Sequence, residues 1–198
     1  VPEVDGGSIE NWSIHPDLPE GLNFDNGTIS GTPIVNMTTM NFLIYGNNSG
    51  GSSVVGISIT ILEPAPTITY QTDYLILTRG EEMQSALEAI FGGGAVASFT
   101  VEPELPDGLN FTNGTIFGTP TVNSTIVQYN ITAINNGGSD YFLLNITILE
   151  PVAILSADPN YYELTRGEDE MNLTLNNTGG MVETWTVYPD LPTGLIFG

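Results

Sequence analysis

The sequence predicts an all-β protein built from tandem antiparallel β-sandwich repeats of about 87 residues. Three observations lead to this prediction. The phrase LPEGLNFDNGTISGTP at residues 18–33 returns at residues 105–120 as LPDGLNFTNGTIFGTP, with 13 of 16 positions unchanged. Short segments rich in β-branched and aromatic residues, which favour strands, follow one another along the chain. Gly and Pro clusters, which mark turns, separate these segments.

The repeat has a nearly constant spacing. ILEP at residues 61–64 returns 87 residues later at 148–151, and FTVEPELP at 99–106 returns as WTVYPDLP at 185–192. A unit of this size can hold a small hydrophobic core of its own. The spacing predicts three segments: residues 1–64 as the later part of a repeat, 65–151 as a complete repeat, and 152–198 as the first part of a further repeat.

The complete repeat contains several segments in which apolar and polar residues alternate, as in half-buried strands. They are TITY (67–70), YLIL (74–77), SFTVE (98–102), IVQYNITAI (126–134) and YFLLNITIL (141–149). EEMQSALEAIF (81–91) has a composition that allows a turn or two of helix. Seven or eight short strands in a unit of this length are typical of an antiparallel sandwich.

The repeated phrase has the chemistry of a β-hairpin. Asn26-Gly27 and Asn113-Gly114 each stand between two apolar runs, and Asn-Gly favours the two-residue hairpin turn because both residues tolerate positive φ. We therefore interpret the phrase as a folding device rather than a binding loop. The side chains expected on the inner face of the first hairpin are Leu22, Phe24 and Ile29.

Two repeat positions have a predicted structural role. One holds an aromatic residue in every segment, as a core position would: Trp12, Phe99 and Trp185. We expect all three to be buried. His15 occupies a position that holds Glu102 and Tyr188 in the other segments, so we expect an exposed strand residue there.

The charge balance excludes several classes of function. The chain has 23 acidic residues, two arginines and no lysine, for a net charge of −21. Such a chain repels nucleic acid and anionic membranes. No apolar run is long enough to span a bilayer, so we expect no direct membrane insertion by this segment. Without Cys or Lys, and with one His at a variable position, the common nucleophile–base arrangements are missing, and we expect no enzyme.

The two arginines occupy one repeat position and suggest a structural ion pair. Arg79 and Arg166 are each followed by carboxylates, and each lies 16 residues after the Glu of a preceding ILEP, Glu63 or Glu150. These glutamates are the predicted partners, which would clamp the junction between repeats. The alternative is that both arginines are ordinary surface charges.

The pattern WxxxPxLPxGLxFxxGxIxGTP, followed by NNGGSDYFLLNITI, resembles the Putative Ig domain. This is a cadherin-like repeat of the dystroglycan type, found in large prokaryotic surface proteins, and we expect an archaeal source. The resemblance covers the whole chain and implies Ig-like β-sandwiches in tandem arrays that serve adhesion or cell-envelope architecture, without enzymatic activity. Related cadherin-like domains bind calcium through aspartates near domain junctions. Here the corresponding turn reads Asn47-Asn48 and Asn135-Asn136.

Calcium at the junctions between repeats is a further expectation, because carboxylates are frequent there and a hard cation would offset their repulsion. The candidate residues are Glu63, Asp73, Glu81, Glu82, Glu150, Glu168, Asp169 and Glu170. The competing hypothesis is that the arginines alone offset the repulsion.

N-glycosylation sequons are unusually frequent. Eleven of the 18 asparagines qualify, whereas random placement would give roughly 3. They are Asn11, Asn26, Asn36, Asn47, Asn110, Asn113, Asn123, Asn130, Asn145, Asn172 and Asn176. We expect N-linked glycans on several of them, preferably Asn36, Asn123, Asn145 and Asn172, and hence export to a cell surface. Asn130 and Asn145 should face outward if the isoleucine after each faces the core.

The predicted function is that of a structural cell-surface protein, in which a glycosylated array of Ig-like repeats acts as a spacer, an adhesin or a building block of a filament or envelope. The expected partners are neighbouring repeats, further copies of the chain, or other surface proteins and glycans. Two explanations fit the incomplete repeats: an excerpt of a longer array, or strand addition between copies. The alternative function is a calcium-dependent adhesion module or a carbohydrate-binding module, in which Tyr161 and Tyr162 could stack on sugars.

Overall fold

The computed structural model describes residues 6–197, and every regular element within them is a β-strand. The all-β prediction is therefore confirmed. The chain forms two compact units by its contacts. The first contains the described residues up to Ile68 together with 91–99 and 133–140, and the second contains 69–90, 100–132 and the residues from Tyr141 onward.

The first 64 residues contain five strands: β1 (Asn11–His15), β2 (Leu22–Asp25), β3 (Thr28–Gly31), β4 (Met37–Asn48) and β5 (Gly51–Ile61). An antiparallel sheet has the order β1-β4-β5, and β2 pairs with β3 as a separate hairpin. Phe42 and Ile44 on β4 are buried, because alternate side chains of a strand point to the same face.

Residues 65–151 contain eight strands, in agreement with the seven or eight expected: β6 (Pro66–Thr69), β7 (Tyr74–Thr78), β8 (Ile90–Gly93), β9 (Ser98–Glu102), β10 (Leu109–Thr112), β11 (Thr115–Gly118), β12 (Ser124–Asn135) and β13 (Gly138–Leu149). A four-stranded sheet has the order β7-β13-β12-β9, and the pairs β6-β8 and β10-β11 form two smaller sheets. Two short strands follow and pair antiparallel, β14 (Leu155–Ser156) and β15 (Asn176–Asn177).

One strand pair differs from the antiparallel prediction. β7 runs parallel to β13, from Tyr74 opposite Asn145 to Thr78 opposite Leu149. A parallel pair cannot be closed by a hairpin and needs a long crossover connection. Here β7 ends at residue 78 and β13 begins at 138, so the intervening strands supply that connection.

The core of the second unit is built by alternation along β12 and β13. Its buried apolar residues are Tyr70, Leu109, Ile116, Tyr129, Ile131, Leu144, Ile146 and Ile148. The Tyr70 hydroxyl donates a hydrogen bond to the carbonyl of Gly114 at 2.7 Å, and its ring lies 5.2 Å from that of Phe142. Burial raises the pKa of Tyr70 to about 12, so this donor stays protonated at neutral pH.

Both copies of the repeated phrase form the predicted hairpin. Asn26 and Gly27 have φ of 46° and 74°, and Asn113 and Gly114 have φ of 50° and 82°. Positive φ at both central residues defines the type I′ turn. The side chains of Leu22, Phe24 and Ile29 are half-buried and alternate with exposed neighbours, as the hairpin interpretation expects.

The segment 81–91 forms no helix. The backbone of Leu87 both donates to and accepts from Ile116, at 2.8 and 2.9 Å, so the chain here extends along the hairpin. These bonds satisfy in a bridge the backbone groups that a helical turn would have bonded internally.

The predicted burial of the repeated aromatic is wrong. Trp12 and Phe99 are half-buried, and Trp185 is 45% exposed. β1 and β9 lie at the edges of their sheets, which leaves one side of each ring uncovered. Trp185 lies outside any strand and contacts the ring of Phe197 edge-on. His15 is exposed at the end of β1, as expected.

Candidate functional site: the repeat junctions

The linker between β5 and β6, residues 62–65, is held by hydrogen bonds within the first unit. We call it the first junction. The N–H of Glu63 donates to Oδ1 of Asn136 at 3.2 Å, and Nδ2 of Asn135 donates to the carbonyl of Pro64 at 2.7 Å. The N–H of Gly94 donates to the carbonyl of Ala65 at 3.3 Å. Three consecutive linker residues are therefore bonded to segments of the following repeat.

The turn between β12 and β13 positions the amide of Asn135. Its Oδ1 accepts from the N–H groups of Gly137 and Gly138, at 2.8 and 3.1 Å, while Nδ2 also donates to the carbonyl of Ala95. Asn48, 87 residues earlier, makes the corresponding bonds to the N–H of Gly50 and the carbonyl of Ser8. A carboxylate cannot donate a hydrogen bond. The turn therefore requires Asn where a calcium-binding turn would carry Asp.

Glycines allow close backbone approach at the first junction and at a second one. We define the second junction as residues 150–154, between β13 and β14. A Cβ atom on Gly94 would overlap the carbonyl of Pro64, and one on Gly180 would overlap that of Pro151. The N–H of Gly180 donates to Val152 at 3.1 Å, which matches the bond from Gly94 to Ala65. The same contact thus occurs twice.

An ion pair adjoins the second junction within the second unit. Nε and Nη2 of Arg79 donate to the two carboxylate oxygens of Glu150, at 2.8 and 2.7 Å. The parallel register explains the pairing, since Thr78 lies opposite Leu149 and these are the next residues of both strands. The hydrogen bonds from Arg79 lower the pKa of Glu150, and the N–H of Met181 also bonds its carboxylate. The same pair raises the pKa of Arg79.

This geometry differs from the pairing by 16-residue spacing. Arg79 bonds Glu150 rather than Glu63, and Oε1 of Glu63 instead accepts from Nδ2 of Asn36 at 2.7 Å. Arg166 lies exposed in a turn. The partner is decided by strand register because residues that end neighbouring strands meet, whatever their separation along the chain. The sequence signal was present, since LTRG and ILEP end two strand-type segments of one repeat.

The Glu150→Gln substitution should change the acid stability of the second repeat. Because the pKa of Glu150 is lowered in the folded protein, the stabilisation is present above its unfolded value, about 4.3, and is lost as pH falls through the folded value. Thermal melts from pH 7 to pH 3 should show the variant less stable at pH 7 and equal to wild type at the acid end. Glu104→Gln, at an exposed carboxylate of the same repeat, is the control. A wild-type difference that persists unchanged at low pH would contradict the assignment.

The eleven sequon asparagines all retain some solvent exposure. Nine are exposed, whereas Asn47 and Asn145 are half-buried. Asn130 faces outward beside the buried Ile131, as expected. The amide of Asn145 donates to the carbonyl of Asp73 at 3.2 Å and accepts from Gln128 at 3.3 Å. Glycan attachment itself stays a prediction.

The expected calcium ligands do not converge. Within residues 6–197, no group of three or more His, Asp or Glu side chains has the arrangement of a metal site. Hydrogen bonds to Thr165 lower the pKa of Asp169, while Glu63 and Glu150 have the partners described above. Calcium binding stays a prediction that calorimetric titration would test. For the carbohydrate alternative, Tyr161 is exposed and Tyr162 is half-buried. The described part of the chain has no helix with the length and apolar character needed to cross a membrane.

The family is decided by two tandem matches. Residues 2–62 and 65–148 both match the family described as Putative Ig domain. The chain belongs to this family. The two matches meet at the first junction, so family membership covers the repeats on either side of it. Ig-like repeats of this kind are typical of extracellular, adhesion-type proteins without enzymatic activity.

Several solved structures are similar to this chain. The structure of the N-terminal eight Ig domains of DSCAM, a cell adhesion molecule, is 13% identical with a TM-score of 0.41, covering 71% of this chain and 20% of that one. A structure that addresses Dscam isoform specificity is 14% identical with a TM-score of 0.39, covering 67% and 33%. Extracellular domains 3–5 of Drosophila OTK are 14% identical with a TM-score of 0.43, covering 70% and 50%. This chain thus spans between a fifth and a half of these structures. A search of curated proteins found no match.

Proposed function

We propose that this chain is a structural part of an extracellular surface protein, in which Ig-like repeats are joined by fixed junctions and act as a spacer. The observation that carries the proposal is the recurrence of one junction contact. Gly94 bonds Ala65 and Gly180 bonds Val152, in each case with a glycine approaching the linker backbone too closely for a side chain. A device that recurs with the repeat serves the array rather than a single domain.

The first junction has little freedom to rotate. Only residues 62–65 separate β5 from β6, and Glu63, Pro64 and Ala65 all have backbone groups bonded to the next repeat. Flexible linkers are usually longer and rich in unbonded Gly and Ser. A short bonded linker holds the repeats on either side of it in place, which is what a spacer requires.

The surface chemistry supports an extracellular position. All eleven sequons retain exposure, and the chain carries a net charge of −21 without a lysine. Bulky solvated glycans and like charge keep neighbouring surfaces apart. Partners in this proposal are neighbouring repeats and other surface proteins or glycans, and the adhesin and filament roles remain compatible with the same fixed junctions.

Backbone ¹⁵N relaxation of the 198-residue chain tests the fixed junction. We expect the strands of the first and second repeats to report one common rotational correlation time. Asn135→Asp replaces a donor to Pro64 and Ala95 with a repelling acceptor, so this variant should show two shorter correlation times. Asn48→Asp makes the same change in the first repeat, where the amide bonds Ser8, and should leave the common value intact. Independent tumbling of the repeats in the wild-type chain would refute the spacer proposal.

A further inference from the structure

The outward side of the four-stranded sheet exposes an apolar patch in the second unit. We call it the outer face and define it by Tyr74, Ile76, Ile126, Asn130, Leu143 and Asn145. Tyr74, Ile76 and Ile126 are 61%, 64% and 68% exposed, and Leu143 is also exposed. The opposite side of the same strands is the buried core. Soluble proteins rarely leave a contiguous apolar surface uncovered.

The outer face is also free of charge. β7, β12 and β13 together contain one charged residue, Asp140, in a chain with 23 acidic residues. The carboxylate of Asp140 accepts a hydrogen bond from the N–H of Ile68 at 3.0 Å. The polar groups of the outer face itself are amides and hydroxyls. A ligand with apolar C–H surfaces and many hydroxyl groups would match this composition, and a sugar has both.

Asn130 is the accessible attachment site on this face. It is exposed, and Oδ1 of Asn130 lies 3.4 Å from the hydroxyl of Thr132, the third residue of the sequon. In the first repeat Leu43 pairs with Gly56, so the 87-residue shift places Asn130 beside Leu143. β7 lies two strands from β12, a distance of about 9.6 Å. Asn145 is less suitable because its amide already bonds Asp73 and Gln128.

We infer that an N-linked glycan attached to Asn130 lies across the outer face and covers Leu143 and Tyr74. The inference rests on the proposed extracellular, glycosylated state. The first sugar rings would pack their C–H faces on these side chains, while their hydroxyls bond the amides of Asn145 and Gln128. The first repeat has no sequon at the equivalent position: Leu43 stands there, and its Cδ2 lies 3.7 Å from the Cβ position of the opposite Gly56. The attachment site and the exposed Leu143 thus occur together in one repeat.

The test uses the 198-residue chain secreted by a host that attaches N-linked glycans. Glycopeptide mass spectrometry establishes which sequons are occupied. Asn130→Gln should then raise the binding of a hydrophobic dye and lower Tm, whereas Asn110→Gln, at an exposed sequon on β10, should change neither. Enzymatic removal of the glycans from the wild-type chain should reproduce the Asn130→Gln result. Adding Tyr74→Ser and Leu143→Thr should abolish the effect of the glycan.

Three outcomes would overturn the inference. A bare Asn130 beside other occupied sequons would exclude this glycan and leave the proposed surface function standing, whereas a chain with every sequon bare would also remove the glycosylated state from that function. An occupied Asn130 whose loss behaves like the Asn110 control would show that the glycan points into solvent. A glycosylated chain that dimerises in light scattering, and loses the dimer on Tyr74→Ser, would show that a second copy covers the face.

Discussion

Replacing Ile131 with alanine is expected to lower the free energy of unfolding of the second repeat by about 2–5 kcal/mol. Ile131 is fully buried on β12, and Leu144 and Ile146 on β13 are fully buried as well. Close-packed β-strands relax only partly around a missing side chain, so the loss of transfer free energy is increased by a cavity. Urea unfolding followed by circular dichroism measures the change.

Ile126→Ala is the matched control for this substitution. The residue lies on the same strand and loses the same atoms, but it is 68% exposed. Its variant should stay within about 0.5 kcal/mol of wild type, as surface substitutions usually do. Equal losses for the two variants would mean that the side of β12 taken as the core is not the one that stabilises the fold.

Gly108→Ala is the second substitution with a large expected effect. Gly108 has a φ of 90°, and a Cβ there would overlap the carbonyl of Thr119, whose N–H bonds the carbonyl of Gly108 at 3.0 Å. The unfavourable conformation alone costs about 1–3 kcal/mol. The overlap should add to this cost because both atoms belong to the backbone of one hairpin and neither can rotate away. Chemical denaturation of the variant gives the sum.

Gly80→Ala separates the two contributions. Gly80 has a φ of 79°, and none of the described atoms beyond its chain neighbours lies within 4 Å of its Cβ position. This variant should show the conformational cost without the overlap, and hence a smaller loss of stability than Gly108→Ala. If both variants lost the same stability, the close approach to Thr119 would be irrelevant to the conserved spacing of Gly and GTP in the two copies of the phrase.

Local chemistry made the hairpins and the strand content predictable. Asn113-Gly114 specifies a turn through its own backbone preferences, and alternation along β12 and β13 specifies which residues are buried. These features depend on residues within a few positions of each other. The exposure of Trp185 was not predictable in this way, because it depends on which segments cover the ring.

Long-range pairing was the part that the sequence could not predict. The parallel pairing of β7 with β13 and the bond between Arg79 and Glu150 both join residues about 71 positions apart. Spacing along the chain suggested Glu63 instead, because the nearest repeated carboxylate was taken as the partner. At the first junction, Asn135 was noticed for the aspartate it replaces, whereas its function follows from two carbonyls that only the fold places beside it.

The glycine contact at the junctions has a consequence for how such a chain changes over generations. Gly94 and Gly180 belong to the repeat that follows each linker, and Pro64 and Pro151 belong to the ILEP that precedes it. Each repeat therefore carries both parts of a junction, one at each end. Duplication or deletion of a whole unit by recombination creates a new boundary with the same two parts. The number of units can change without any compensating substitution, so selection can adjust the reach of the protein in steps of one domain.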